Sequence, residues 1–381
     1  MREGSEASVR ELGVYIHFPW CRKRCSYCDF AIAVSSKIPE EKYAAVLLEE
    51  IKSRSFCFRG RRLVSVYFGG GTPSLASPGW LKQVLDEVVN QFGREYLTEV
   101  TLEANPIDCT ESKLNAWKDL GINRLSVGVQ SFHEKELTLL GRDHSMGDGE
   151  EALARVSVAG LRSFSADAIL GAPSKDRGLE TLADLSRRNI PHISAYELTI
   201  EPNTPLKKAV EERTFLPLSE DARFGVFEET HKVLTEAGYE HYEISSFAKP
   251  GHRAVHNSLY WSGGEYLGVG NGAASFLRFE DGRAERFLNP RSVRRYMESP
   301  PKEREKESLS TTEVETDLLW LGLRTSQGVD RKLFANRSAE RDWLLGQGLA
   351  KEDGNRVIPT FRGFVFANQV AQAIVNGAPQ K

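Results

Sequence analysis

The chain has 381 residues, 40% apolar and 27% charged, which fits a globular protein of two or three domains and excludes disordered, fibrous and membrane-embedded classes. With 50 basic against 53 acidic residues the net charge is −3, so no overall positive field points to nucleic acid as a partner. No run approaches the roughly 18 apolar residues of a membrane span, and the opening MREGSEASVR lacks a signal peptide's apolar centre. The expectation is therefore a cytoplasmic protein with no integral membrane segment, leaving only peripheral membrane contact open.

In chain order, β-rich runs at 14–18, 63–68, 99–103, 124–130, 164–170 and 192–198 alternate with helical apolar spacing at 40–55, 79–91, 111–120, 149–160, 178–188 and 220–237. This alternation predicts six βα units on a parallel sheet, and right-handed crossovers make it a complete or partial barrel, or a doubly wound sheet. In either case ligands bind where the strands end. The segments there are PWCRKRCSYCDF, GGGTPS, EANP, VQSF, ADAILGAP and YELTIEPNTP.

Beyond Tyr242 the pattern changes to a Gly- and aromatic-rich stretch, 251–276, then a charged connector at 298–310 with Pro300 and Pro301. The expected divisions are 1–245, 246–310 and 311–381. The last reads as three helices, two short strands at 349–351 and 357–359 around a turn at Asp353 and Gly354, and a final helix from about Gly363: a winged-helix-like α+β unit. Its 9 Lys and Arg against 8 Asp and Glu give +1, a poor footprint for DNA phosphates. A packing or substrate-covering role is expected.

Cys21, Cys25 and Cys28 stand as C-x3-C-x2-C in one loop. Thiolates are soft ligands that gather at metals and clusters. Structural zinc wants four protein ligands, whereas a [4Fe–4S] cube held by three cysteines keeps one iron open for a small molecule; zinc and coincidental buried thiols are the alternatives. Cys57 and Cys109 read as small buried apolar residues. Gly70, Gly71 and Thr72 follow the second strand, where missing Cβ atoms let backbone amides approach a ligand, though a flexible turn has the same composition. Glu103, Gln130, Arg142 and Asp167 lie at or soon after successive strands, as donors and acceptors for a zwitterionic ligand or as solvated loop residues. His256, with Asn257, Tyr260 and Trp261 beside it, is either a packed core histidine or a haem ligand next to rings that cover a porphyrin face. His241 and His252, nearby in sequence, read as surface residues.

The cysteine loop with Tyr27 before its third Cys resembles the radical SAM superfamily. There the open iron chelates S-adenosylmethionine, and cluster reduction cleaves the sulfonium to a 5′-deoxyadenosyl radical. YIHFPWCRKRCSYCDF, FGGGTPS, LEANP, SVGVQSF, LGRDH and ADAILGAP together resemble its oxygen-independent coproporphyrinogen III oxidase branch, over essentially the whole chain. The resemblance implies a partial (β/α)6 TIM-like barrel, with Tyr15 and Tyr27 flanking S-adenosylmethionine and Gly70, Gly71 and Thr72 binding its amino acid portion. Glu103, Gln130, Arg142 and Asp167 would hydrogen-bond it. Two departures, Phe30 where the oxidases carry a further cysteine and only about a dozen residues before the first strand, point to the sister HemW-type haem chaperones. HNSLYW and YLGVG look like those chaperones' HNxxYW and YLGxG segments. The family implies a carrier of haem that hands it to acceptor apoproteins, with an electron donor for the cluster. The alternative is a coproporphyrinogen III oxidase.

Overall fold

The computed structural model describes residues 10–172, 174–298 and 304–378. Pro300, Pro301 and the first nine residues fall outside the described residues.

Apolar alternation dictates the first strand, β1 (Glu11–Phe18): Leu12, Val14, Ile16 and Phe18 are fully buried on one face, leaving Gly13, Tyr15 and His17 on the other. Five more strands repeat the plan: β2 (Arg62–Gly70), β3 (Glu99–Ala104), β4 (Arg124–Gln130), β5 (Ser163–Leu170) and β6 (His192–Glu197). All pair in parallel, in the order 1-2-3-4-5-6. Each is followed by a crossover helix: α1 (Glu40–Ser55), α2 (Pro78–Phe92), α3 (Glu111–Asp119), α4 (Met146–Val158), α5 (Lys175–Arg187) and α6 (Glu220–Glu236). Their ends carry the local signals expected of them. Ser77 accepts the Trp80 amide ahead of a Pro at N1, Thr110 accepts the Lys113 amide, and Ser145 with Asp148 forms a capping box. The expected six βα units and partial barrel are present.

Past α6 the sheet continues on both sides. β7 (Glu240–Glu243) and β8 (Ser246–Ala248) extend the β6 edge antiparallel. β9 (Glu265–Val269) lies parallel against β1, and β10 (Ala274–Arg278), β11 (Ala284–Leu288) and β12 (Glu305–Leu309) follow antiparallel, giving 12 strands in order 12-11-10-9-1-2-3-4-5-6-8-7. Residues 246–310 therefore carry strands of the barrel sheet itself. A buried carboxylate ties this extension down: Glu50 of α1 accepts from Arg54, the Gly270 amide, Asn289 and the Tyr296 hydroxyl, so its charge is hydrogen-bonded throughout.

The short helix α7 (Val255–Trp261) plugs the barrel floor. Glu99 of β3 accepts the backbone amides of Val255 and His256 at 2.9 and 3.0 Å, a carboxylate on the positive end of a helix.

The C-terminal part begins with α8 (Thr311–Gly322) and has its own core of Leu319, Leu323, Phe334, Leu344, Val357 and Ile374. Its sheet orders Val329–Asp330, Arg356–Pro359 and Ala350–Asp353. The second expected helix is only a 3-10 turn, Arg331–Phe334, opened by the Asp330 side chain on the Lys332 amide. Cys109 is buried as expected. Cys57, in contrast, is exposed, because it falls on the single 3-10 turn that ends α1. His241 is also not a surface residue: it stacks on Phe247 at 4.1 Å and is 7% exposed.

Candidate functional site

The C-terminal ends of the strands surround a cavity of about 790 Å³. Cys21, Cys25 and Cys28 line it, as do all nine residues expected around S-adenosylmethionine: Tyr15, Tyr27, Gly70, Gly71, Thr72, Glu103, Gln130, Arg142 and Asp167.

The cysteine loop is held at both ends. Trp20–Cys21 pairs in parallel with Ala33–Val34, which closes its stem. The Gly71 amide donates to the Phe18 carbonyl at 2.7 Å and the Thr72 amide to the Trp20 carbonyl at 2.9 Å, laying the glycine run against that stem. At the crown, the Ser26 amide and hydroxyl donate to Leu140 and Leu139, fixing the loop to the turn that carries Arg142. Arg142 donates to Cys25 Sγ at 3.5 Å and to the Gly128 carbonyl at 3.1 Å, while its Nε is buried without a partner. A guanidinium against the Cys25 sulfur compensates thiolate charge. Burial pushes the Cys21 thiol up to about 11, which is not the low-pKa environment of a surface redox thiol.

Glycine is required here. A Cβ on Gly71 would lie 2.7 Å from the Trp20 carbonyl oxygen and 3.0 Å from Cys21 Sγ, and neither can yield without moving the loop. Gly71→Ala is expected to cost about 1–3 kcal/mol by overpacking and to lower iron incorporation, checked by denaturant unfolding and iron analysis. Gly70 has φ +117 and its amide donates to Glu103 Oε2 at 3.0 Å.

Glu103 also accepts from the Tyr67 hydroxyl at 2.8 Å, and burial pushes its carboxyl up to about 7. Asp167 accepts from Ser126 at 2.7 Å and Ser165 at 3.2 Å, and burial raises it as well. Two half-buried acids therefore line the cavity, neither in an ion pair among the described residues, the electrostatics of a site for a cationic ligand. Gln130 adopts φ 65 at an irregularity in the β4 to β5 register, strained backbone of the kind that concentrates at functional sites.

Among the lining residues that sequence reasoning missed are His17, Tyr67, Ser126 and Tyr196. His17 bridges the Tyr15 hydroxyl and the Ala31 carbonyl at 3.0 Å each. The signal that could have found them is the two-residue alternation along β1, β2, β4 and β6, which sets them on the inner face with Tyr15.

The radical SAM superfamily matches residues 15–186. Heme chaperone HemW of Escherichia coli (strain K12) is 40% identical over 292 residues, covering 75% of this chain and 76% of that protein. The chain belongs to the HemW family of radical SAM proteins. Heme chaperone HemW of Lactococcus lactis is 32% identical over 370 residues, 93% of this chain and 95% of that one. Radical S-adenosyl methionine domain-containing protein 1, mitochondrial, of Bos taurus is 37% identical over 325 residues, 83% and 74%. Among solved structures, coproporphyrinogen III oxidase (HemN) from Escherichia coli superimposes with TM-score 0.80 at 20% identity, covering 96% of this chain and 90% of that one, which shows the fold.

Radical SAM membership brings a [4Fe–4S] cluster and S-adenosylmethionine. This chain's residues fit both: three thiols on one anchored loop, an orphaned Arg142 Nε beside them, a glycine run with no room for a Cβ and two half-buried acids lining the same cavity.

His256, Asn257, Tyr260 and Trp261 do not reach this cavity. His256 is 1% exposed, and both ring nitrogens are engaged, Nδ1 with the Ser65 hydroxyl at 2.9 Å and Nε2 with the Tyr260 hydroxyl at 2.7 Å; its ring stacks on Tyr67. α7 turns His256 into the barrel, so in this structure neither ring nitrogen is free. Asn257, Tyr260 and Trp261 instead line a second cavity of about 990 Å³, between α6, α7 and the C-terminal part.

Proposed function

We propose that this chain is a haem chaperone, a carrier that binds haem and delivers it to acceptor apoproteins, with a [4Fe–4S] cluster and S-adenosylmethionine in its barrel. The observation that carries the reading is identity of up to 40% to proteins named as haem chaperones across three quarters of the chain, joined to a cavity whose donor set suits both barrel ligands.

When bound and reduced, the cluster supplies one-electron chemistry toward the sulfonium. The chain's own residues hold and shield. Cys21, Cys25 and Cys28 would hold the cluster, and Arg142 would offset the thiolate charge. Gly70, Gly71 and Thr72 take the methionine end, the two glycines by leaving room for it, Glu103 and Asp167 accept from its cationic and hydroxyl groups, Gln130 adds a side-chain amide, and Tyr15 and Tyr27 flank it. His256 acts on haem only through Tyr260, as a positioning residue. Partners are haem, acceptor apoproteins and an electron donor. We place the protein in the cytoplasm; among the described residues no helix is long and apolar enough to cross a membrane.

The oxidase alternative is tested directly. Anaerobically reconstituted protein with reductant, S-adenosylmethionine and coproporphyrinogen III is expected to form no protoporphyrinogen IX, while the same sample loaded with haem passes it to an apoprotein. Catalytic decarboxylation would overturn the chaperone reading.

A further inference from the structure

The second cavity has three walls. Phe224 and Phe227 come from α6, Tyr260 and Trp261 from α7, and Trp320 and Phe366 from the C-terminal part. Aromatic side chains from three separate elements make a slot suited to an apolar body, and about 990 Å³ stands at the upper end of the roughly 300–1,000 Å³ range of cofactor sites. Phe224 is 44% exposed, an apolar surface left without a cover.

One cation in this slot lacks a counter-ion. Arg324 lies over the Trp320 ring at 4.7 Å and donates to Asn368 Oδ1 at 3.1 Å, and among the described residues no carboxylate pairs with it. The acids that also line the slot are otherwise accounted for. Glu197 pairs with Arg223; Glu243 accepts the Ser245 amide and is pushed toward its neutral form by burial; Glu220 and Asp221 occupy the first turn of α6, where the helix dipole favours them. The wall formed by the C-terminal part is thus the one that calls for an anion.

We propose that haem docks in this slot, its macrocycle between the α6 and C-terminal aromatics and a propionate on Arg324. The inference rests on the chaperone reading and assigns that reading its cargo site. Among the described residues the lining offers no imidazole, thiol or thioether, and the Tyr260 phenol is engaged with His256 Nε2 at 2.7 Å, so ring and carboxylate carry the recognition ahead of iron. A carrier built this way releases its cargo without breaking a strong axial bond, and iron-free protoporphyrin IX binds in the same place. Tyr196 and Glu197 line both this slot and the cluster cavity, so the cargo sits one strand end away from the radical SAM site.

The test titrates ferric haem into full-length reconstituted protein, following the haem absorption and the quenching of tryptophan fluorescence, with protoporphyrin IX as competitor. Arg324→Glu is expected to weaken haem at least tenfold, with Arg324→Lys restoring most of the affinity and cluster absorbance and melting temperature unchanged. Phe224→Ala, at a side chain already partly exposed, is expected to weaken haem at least threefold and serves if Arg324→Glu fails to fold. Wild-type affinity in the folded variants, or failure of protoporphyrin IX to compete, overturns the slot and leaves the chaperone reading standing. Absence of saturable haem binding in the wild type overturns both.

Discussion

Replacing any one of Cys21, Cys25 or Cys28 with Ala is expected to abolish the cluster. Iron and acid-labile sulfide should fall from about four each per chain to near zero, and the broad visible absorption should vanish. The three thiols sit on one loop whose stem and crown are fixed by backbone hydrogen bonds, and no fourth cysteine lines the cavity among the described residues. Loss of one therefore leaves two ligands for a cube that needs three, and chelation falls off cooperatively. The fold should persist, because the apolar core lies under the helices and the cysteines lie at the strand ends; far-ultraviolet circular dichroism checks that separately. Cys57→Ala and Cys109→Ala should leave iron content unchanged. A variant lacking Cys25 yet retaining full iron and sulfide would contradict the ligand set.

Glu103→Gln is expected to weaken S-adenosylmethionine at least tenfold while stabilising the ligand-free protein above neutral pH. The sign follows from burial. The folded-state carboxyl is raised from 4.5 to about 7, so the folded protein holds a proton that the unfolded chain has lost. Between these values stability falls as pH rises, and it levels off above about 7. The substitution removes that slope except for the share of Asp167, which faces the same cavity and is raised in the same direction. A cationic ligand reverses the balance: it favours the carboxylate, so wild-type affinity should rise from pH 6 to pH 8, and the rise should flatten in the variant. Calorimetric titration and thermal melts at both pH values read the two effects. Equal affinity in variant and wild type would remove Glu103 from the binding set.

Much of the barrel was legible because its signals are local. Leu12, Val14, Ile16 and Phe18 alternate on one strand, apolar residues recur at helical spacing after each strand, and Cys21, Cys25 and Cys28 declare their chemistry within eight residues. What was not legible depends on distant partners. That β9 would lie beside β1, and that the antiparallel strands after it would extend the same sheet, is decided by pairing across more than 240 residues of sequence. That α7 would turn His256 inward is decided by Glu99, 157 residues away, holding the helix end. His17 and Tyr67 escaped notice because an inward polar residue in a strand is informative only once the cavity on that face is known. The aromatic slot was hidden for the same reason: Phe224, Trp261 and Trp320 lie on three elements, and Trp261 was singled out only through the family segment it belongs to.

The most direct test of the account is Mössbauer spectroscopy of anaerobic protein carrying isotopically enriched iron, recorded with and without S-adenosylmethionine. Three cysteine ligands and one open iron predict a [4Fe–4S] spectrum in which a single iron site shifts when the ligand is added and the other three stay as they were. A preparation that holds only zinc, or a cluster whose four irons are all indifferent to S-adenosylmethionine, would contradict it.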